Sequence, residues 1–262
     1  MVKKRLIPIL LLKNGQLVRS ELFKVHQIIG NPVHEVRRFN EWNVDELIYL
    51  DISSDDRYDL GRDDHAIRGL VDQRAILEAV SETCFMPLTW GGRIRTIEDM
   101  RERISSGADK VALNTMAFRD PALISAGARM FGSQAMVASI DALRHPDGRR
   151  EAFVEGGRTA TGLSPVELAK RAEDAGAGEL LLQSIDRDGT GLGYDLELIA
   201  AVCSAVRIPV IACSGIGSYD QYAEGIAAGA SAVAAAIIWH FKELSDRGGK
   251  RALAKAGVDI RT

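Results

Sequence analysis

The stretch Met86-Pro87-Leu88-Thr89-Trp90-Gly91-Gly92-Arg93-Ile94 recurs later in the chain as Ile208-Pro209-Val210-Ile211-Ala212-Cys213-Ser214-Gly215-Ile216, at an offset of 122 residues. At the same offset, Ser106–Ala112 corresponds to Ala228–Ala234. Each copy contains an apolar run, a glycine-containing turn, an amphipathic segment and a second apolar run. A repeat of about half the chain indicates two similar half-domains, each built of strand-helix-strand units.

Apolar runs of strand length alternate with amphipathic segments along the whole chain. The runs lie at 6–12, 47–52, 85–90, 110–113, 135–140, 180–184, 209–213 and 232–236. They are nearly continuous in hydrophobicity, which is typical of parallel strands covered by helices. Helix-start signals precede several of the segments, at Thr96–Asp99, Ser218–Gln221, Asp120-Pro121 and Ser164–Glu167. We therefore predict a (β/α)8 TIM barrel built from two half-barrel repeats, forming a single domain over residues 1–262.

Composition restricts the classes of partner. Among 262 residues, 33 are Lys or Arg and 36 are Asp or Glu, and the net charge of -3 favours neither nucleic acid nor a membrane surface. No segment reaches the roughly 18 apolar residues of a membrane span, and the N-terminal apolar run fits a buried strand better than a signal peptide. The three cysteines show no disulfide or zinc pattern, so we expect a cytoplasmic protein with no metal and no cofactor.

Two connections are longer than joining their neighbours requires. Residues 13–31 follow the first predicted strand, and residues 143–161 follow the fifth and contain His145-Pro146-Asp147-Gly148, which predicts a hairpin. Both leave carboxyl ends of strands, where barrel enzymes carry their chemistry. We interpret both as active-site loops, with surface decoration as the alternative.

The glycine turns at the ends of the third and seventh strands favour anion binding. Such turns expose backbone N–H groups beside a helix N-terminus, where phosphate commonly binds. Their duplicate placement predicts a phosphorylated, anionic small molecule as ligand. The alternative is that the glycines only let a strand turn into a helix. The predicted phosphate-binding residues are Gly91, Gly92, Asn114, Thr115, Asp188, Gly189, Ser214 and Gly215.

Several ordered segments resemble the cyclase subunit of imidazole glycerol phosphate synthase, and the resemblance covers nearly the whole chain. The most specific is Ser184-Ile185-Asp186-Arg187-Asp188-Gly189-Thr190. The others include Lys4–Pro8, Asp45-Glu46-Leu47, Gly107–Val111, Phe131–Ala135, Ile140-Asp141-Ala142, Gly193-Tyr194-Asp195 and His240-Phe241. The resemblance implies a heterodimer in which a glutaminase subunit supplies ammonia to the barrel.

In that family, ammonia enters through a ring of charged residues at the N-terminal face. It then reaches a bis-phosphorylated ribonucleotide at the opposite face. The residues that match the ring are Arg5, Glu46, Lys110 and Glu179, which the resemblance implies to be an ammonia gate. An ion-pair layer that only closes the barrel floor is the alternative, since charges at a barrel mouth must be mutually paired.

The catalytic end departs from the family pattern. The resemblance implies two catalytic carboxylates, after the first and fifth strands; the fifth-strand residue is Asp141, but Leu11 occupies the first-strand position. A positioned acid or base typically contributes about 10²- to 10⁴-fold in rate. Gln183 and Ile237 replace small hydroxyl residues, and Arg93 replaces a third glycine. Arg93 and Arg19 are further candidates for holding an anion.

Three functions compete. Because relatives resembling this chain occur in surface-polysaccharide (lipopolysaccharide) biosynthesis, the missing carboxylate favours an ammonia-channelling barrel that serves a separate sugar amidotransferase. The alternative is an authentic cyclase of histidine biosynthesis, an ammonia-dependent lyase that forms imidazole glycerol phosphate. The third is a scaffold that only activates the glutaminase.

Overall fold

The computed structural model describes residues 3–42, 44–54, 58, 70–241 and 245–261. Its strands are β1 (Arg5–Lys13), β2 (Gln16–Glu21), β3 (Val25–Gly30), β4 (Leu47–Asp51), β5 (Leu88–Gly91), β6 (Lys110–Leu113), β7 (Met136–Arg144), β8 (Arg150–Val154), β9 (Thr159–Ala160), β10 (Glu179–Ser184), β11 (Val210–Cys213) and β12 (Ala232–Ala235). Its helices are α1 (Pro32–Glu41), α2 (Gln73–Ser81), α3 (Ile97–Ser105), α4 (Thr115–Arg119), α5 (Pro121–Phe131), α6 (Pro165–Asp174), α7 (Leu196–Ala205), α8 (Gln221–Ala227), α9 (Ile237–Phe241) and α10 (Ser245–Lys255).

Eight strands close into a parallel barrel. The order β10-β11-β12-β1-β4-β5-β6-β7 is completed by the pairing of β7 with β10, so the ring has no free edge. Each of these eight strands overlaps one of the eight predicted apolar runs, and β6 matches its run to the residue. The predicted (β/α)8 TIM barrel is confirmed.

Alternation along each strand divides the buried side chains into two cores. On β1, Leu6, Leu10 and Leu12 pack outward against the helices, whereas Ile7 and Ile9 point into the barrel. The interior cluster consists of Ile7, Ile9, Ile48, Ala112, Val137, Leu181, Ile211, Cys213, Ala232 and Ala234, with Leu11, Leu50 and Ala236 packed against it. The barrel therefore encloses an apolar interior, which we call the lumen.

The helix starts follow the capping signals at two of the four predicted sites. Thr96 and Ser164 each accept a hydrogen bond from the backbone three residues on, and Asp99 and Glu167 bond back to complete both capping boxes. Asp120 makes no side-chain cap, although Pro121 does open α5. The prediction at Ser218 is wrong, because Gln221 Oε1 accepts from Gly217 N and Ser218 N and closes a turn before α8 begins.

Both long connections contain β-structure at the carboxyl end of the barrel. β7 and β8 form the predicted hairpin, with Asp141 opposite Phe153 and a tight turn from His145 to Gly148. The connection after β1 forms a second hairpin of β2 and β3, which the sequence analysis did not predict.

In the part of the chain that is described, no helix combines the length and apolar character needed to cross a lipid bilayer.

Candidate active site

Four charged side chains form a closed ring of ion pairs, which we call the charged ring. The Arg5 guanidinium contacts Glu46 Oε1 at 2.5 Å and also pairs with Glu179. Lys110 Nζ lies 3.1 Å from Glu46 Oε2 and 2.9 Å from Glu179 Oε2. Each cation thus touches both carboxylates, so the charges alternate in sign and balance.

The barrel strands place the charged ring at their amino ends. Arg5, Lys110 and Glu179 are the first residues of β1, β6 and β10, and Glu46 directly precedes β4. Although burial by itself would lower the pKa of Arg5, the charges and hydrogen bonds of Glu179 and Glu46 raise it above its ordinary value. Arg5 therefore remains a cation throughout the physiological range.

An apolar layer lies directly above the charged ring. Ile7, Ile48, Ala112 and Leu181 each follow a member of the ring by two residues, and all four belong to the lumen cluster. Period-two alternation accounts for this arrangement, since residues two apart on a strand share a face. Such a layer is favourable for a small neutral molecule and strongly unfavourable for an ion.

A buried carboxyl group lies at the opposite end of the barrel. Asp141, on β7, is only 4% exposed, and its Oδ1 accepts a hydrogen bond from Gln183 Nε2 at 2.9 Å. Gln183 is the register partner of Asp141 on β10. Burial, with a smaller contribution from the charge of Asp188, raises the pKa of Asp141 to about 7. Near neutral pH this group can therefore act either as an acid or as a base.

Leu11, where the family resemblance implies a second carboxylate, places an apolar side chain on the far side of the lumen from Asp141. It is the register partner of Leu50 on β4 and of Val18 on β2, and it packs against the lumen cluster. Position 11 on this side of the barrel therefore carries no carboxylate.

Several glycines predicted to bind phosphate are required by close backbone contacts. A Cβ on Gly92 would lie 2.1 Å from the Asp51 carbonyl oxygen, and one on Gly215 would lie 2.2 Å from that of Gly193. On Gly189 it would lie 2.6 Å from the Ser20 carbonyl oxygen. All three have positive φ angles. Gly91 ends β5, where a Cβ would meet the Leu50 side chain at 2.6 Å. Packing alone therefore accounts for these glycines.

The polar residues of the predicted phosphate sites make hydrogen bonds within the chain. Asn114 Nδ2 donates to the Ser139 carbonyl at 3.1 Å, and Thr115 Oγ1 accepts from Glu155 N at 3.2 Å. Asp188 Oδ2 accepts from Ser20 Oγ at 2.7 Å, which ties β2 to the loop after β10. Ser214 is buried and has a φ of +82°.

A buried polar network surrounds Asp51, a residue that the sequence did not mark as part of the site. Asp51 Oδ2 accepts from Tyr58 at 2.7 Å and from Gln73, and it pairs with Arg93 Nη2 at 2.8 Å. The Arg93 side chain is 10% exposed and its guanidinium lies 5.5 Å from the centre of the Tyr58 ring. The charge of Arg93, which the sequence predicts to hold an anion, is thus balanced within the chain by Asp51. An aspartate at the end of the apolar strand β4 was the signal of a polar group here, but its partners could not be predicted from the sequence.

Arg19, the other arginine predicted to hold an anion, donates from its Nε to Gln27 Oε1 at 2.5 Å across the β2–β3 hairpin. Burial raises the pKa of the Cys213 thiol to about 12, so it stays protonated and packs as an apolar group.

The described residues contain no group of three or more His, Cys, Asp or Glu side chains arranged to hold a metal ion.

Comparison with known proteins identifies the family. A family model described as "Histidine biosynthesis protein" matches residues 5–245. The chain is 47% identical to the imidazole glycerol phosphate synthase subunit HisF of Hyphomonas neptunium, with all of both chains covered. It is 43% identical to the protein of that name in Alkaliphilus metalliredigens, again with all of both chains covered. It is 40% identical to that of Gluconacetobacter diazotrophicus, with 100% of this chain and 97% of the relative covered.

These names favour the cyclase of histidine biosynthesis, the alternative that the sequence left open. None of the three supports the surface-polysaccharide interpretation that the missing carboxylate favoured. The family match spans nearly the whole barrel, including all four residues of the charged ring, Leu11 and Asp141. The chain belongs to the histidine biosynthesis protein family and is a full-length homologue of imidazole glycerol phosphate synthase subunit HisF.

Proposed function

We propose that this chain is the ammonia-accepting cyclase subunit of an imidazole glycerol phosphate synthase. In this proposal a glutaminase subunit docks at the charged ring and releases ammonia there. The ammonia crosses the lumen and adds to a bis-phosphorylated ribonucleotide at the carboxyl ends of the strands, where cleavage and ring closure give imidazole glycerol phosphate. The observation that carries the proposal is a balanced charged ring at one end of an apolar lumen, with Asp141 at the other end.

The charged ring suits entry of a small polar molecule. Its two cations and two carboxylates satisfy one another, so opening a path requires breaking only one or two contacts. The lumen above it offers no charged partner among its cluster residues, which favours neutral ammonia over ammonium. Ammonia can then travel without exchanging with bulk water.

Asp141 suits the proton transfers at the reaction end. A carboxyl group with a pKa of about 7 is divided between its acid and base forms near neutral pH. It can take a proton from the attacking nitrogen and return one to the leaving group. Backbone N–H groups of the glycine turns and the loop of Asp188 and Gly189 are the proposed holders of the substrate's phosphates.

A second candidate rests on Leu11. Since leucine carries no proton, the same barrel could deliver its ammonia to another acceptor, such as a sugar held by a separate amidotransferase. The charged ring and lumen would then have the same role, and only the final acceptor would differ.

The test is turnover of the bis-phosphorylated ribonucleotide by the purified chain with ammonium salts, compared with the Leu11→Asp variant. The proposed function predicts imidazole product from the unaltered chain, with the rate lost in Asp141→Asn. Product formed only by Leu11→Asp would contradict the proposal and favour the second candidate.

A further inference from the structure

Lys13 and His26 form a polar pair at the carboxyl end of the barrel. Lys13 Nζ lies 3.2 Å from His26 Nδ1. A lysine ammonium group only donates, so Nδ1 must be the acceptor and the ring proton lies on Nε2. Nε2 makes no hydrogen bond to the residues that the structure describes. The pair therefore presents a neutral imidazole with a donor at its outer nitrogen.

The strand register places this pair on the sheet face that carries Leu11. Leu11 and Lys13 lie two residues apart on β1 and therefore share a face. Leu11 pairs with Val18, and Val18 with Ile28, whereas Ser20 pairs with His26. Because directly paired residues of antiparallel strands lie on the same face, His26 shares the face of the hairpin that carries Ile28 and Val18 and, on β1, Leu11 and Lys13.

The β2–β3 hairpin is also fixed to the second half of the barrel. Ser20 Oγ donates to Asp188 Oδ2 at 2.7 Å, and Phe23 N donates to the same oxygen at 3.2 Å. The charge of Asp188 in turn acts on Asp141. The hairpin thus reaches from β1 to the loop after β10, and β10 is the neighbour of β7, the strand of Asp141.

We propose that Lys13 and His26 form a proton relay that replaces the carboxylate missing at Leu11, with His26 as the catalytic residue that touches the substrate. The inference rests on the proposed cyclase function. It supplies the second proton-transfer group that the chemistry requires and that a leucine cannot provide. It also avoids placing a bare cation where a carboxylate would act, because the group facing the substrate is neutral.

The relay balances protons and charge. The Nε2 proton of His26 passes to the nitrogen that leaves when the substrate is cleaved, while the Lys13 ammonium gives a proton to Nδ1. The imidazole remains neutral with its proton now on Nδ1, Lys13 becomes neutral, and the leaving nitrogen gains one proton. The relay resets when Nδ1 returns its proton to Lys13 and Nε2 takes a proton from solvent, to which His26 is partly exposed.

The surroundings of His26 keep its imidazole neutral. Partial burial and then the charge of Lys13 lower the pKa of His26. On the facing loop, the Asp188 carboxylate is engaged by Ser20 and Phe23.

The decisive variant is His26→Gln, which keeps a polar side chain but cannot relay a proton. Ammonium-dependent turnover of the bis-phosphorylated ribonucleotide is measured for the unaltered chain, His26→Gln, Leu11→Asp and the double variant Leu11→Asp/His26→Gln. We expect His26→Gln to lower kcat by about 100-fold with KM unchanged, as for loss of a positioned acid. The matched control is His34→Gln, on the exposed face of α1, which should leave kcat unchanged.

The double variant separates catalysis from a structural effect on the hairpin. A carboxylate at position 11 should restore turnover in the absence of His26, because it replaces the relay. Normal turnover of His26→Gln, or failure of the double variant to recover, would overturn the relay and leave the proposed function standing. An inactive unaltered chain that Leu11→Asp activates would instead overturn the relay and the proposed function together.

Discussion

Replacing Asp141 by Asn is expected to lower ammonium-dependent turnover by about 10²- to 10⁴-fold while making the protein more stable above pH 7. Asn is nearly the same size and can still accept the hydrogen bond from Gln183 Nε2. It has no proton to exchange, so the loss should appear in kcat. The measurement is steady-state turnover of the ribonucleotide with ammonium salts.

The stability change follows from the direction of the pKa shift. The pKa of Asp141 is raised from 3.8 to about 7 by burial, so the folded chain holds this proton more tightly than the unfolded chain. Below pH 3.8, Asp141 is protonated in both states and does not lower the free energy of unfolding. As the pH rises from 3.8 toward about 7, Asp141 ionises in the unfolded chain first, so the free energy of unfolding falls. Asn removes this decline, and the difference approaches an upper limit of about 4 kcal/mol.

Urea unfolding of both proteins across this pH range checks the stability half of the prediction. The curves of wild type and Asp141→Asn should converge at low pH and separate as the pH rises. Parallel curves would show that ionising Asp141 in the folded chain costs no free energy. That result would contradict a raised pKa and the role of Asp141 in proton transfer.

Replacing Glu179 by Ala is expected to cost the largest amount of stability of any change in the charged ring, about 3 kcal/mol or more. The Glu179 side chain is 6% exposed and pairs with both Arg5 and Lys110. Its removal leaves two partly buried cations to share one carboxylate, Glu46. The free energy of unfolding from urea titration is the measurement.

Glu98→Ala is the matched control for this prediction. Glu98 forms an i,i+3 pair with Arg101 on the surface of α3, with 71% of its side chain exposed. Such a pair contributes roughly 0 to 1 kcal/mol. Equal losses for Glu179→Ala and Glu98→Ala would mean that the charged ring is no more than a solvated surface cluster.

The barrel was predictable from sequence because its signals are local and repeated. Each parallel strand is an apolar run between turn residues, and Lys110–Leu113 was located without error for this reason. The β2–β3 hairpin was missed because its strands are only partly buried and polar residues such as Arg19, Glu21 and Gln27 interrupt the pattern. The start of α8 was misplaced because a Gln221 side chain closed a turn that resembled a capping box.

The site was predictable where its geometry follows strand position. Arg5, Lys110 and Glu179 meet because each begins a barrel strand, and alternation then places apolar residues above them. The Asp51 network could not be predicted, because it depends on Arg93 adopting a positive φ and turning back onto the strand beside it. The pairing of Lys13 with His26 likewise depends on a hairpin that the sequence pattern did not indicate.

The passage of ammonia through the charged ring is the central claim, and the ratio of glutamine hydrolysed to imidazole product formed tests it most directly. The chain is combined with a glutaminase subunit, and unaltered protein is compared with Lys110→Met, which removes two of the ring's contacts at similar side-chain length. We predict one product per glutamine for the unaltered complex and a marked excess of hydrolysis over product for the variant, with turnover from ammonium salts retained. An unchanged ratio in Lys110→Met would contradict the account.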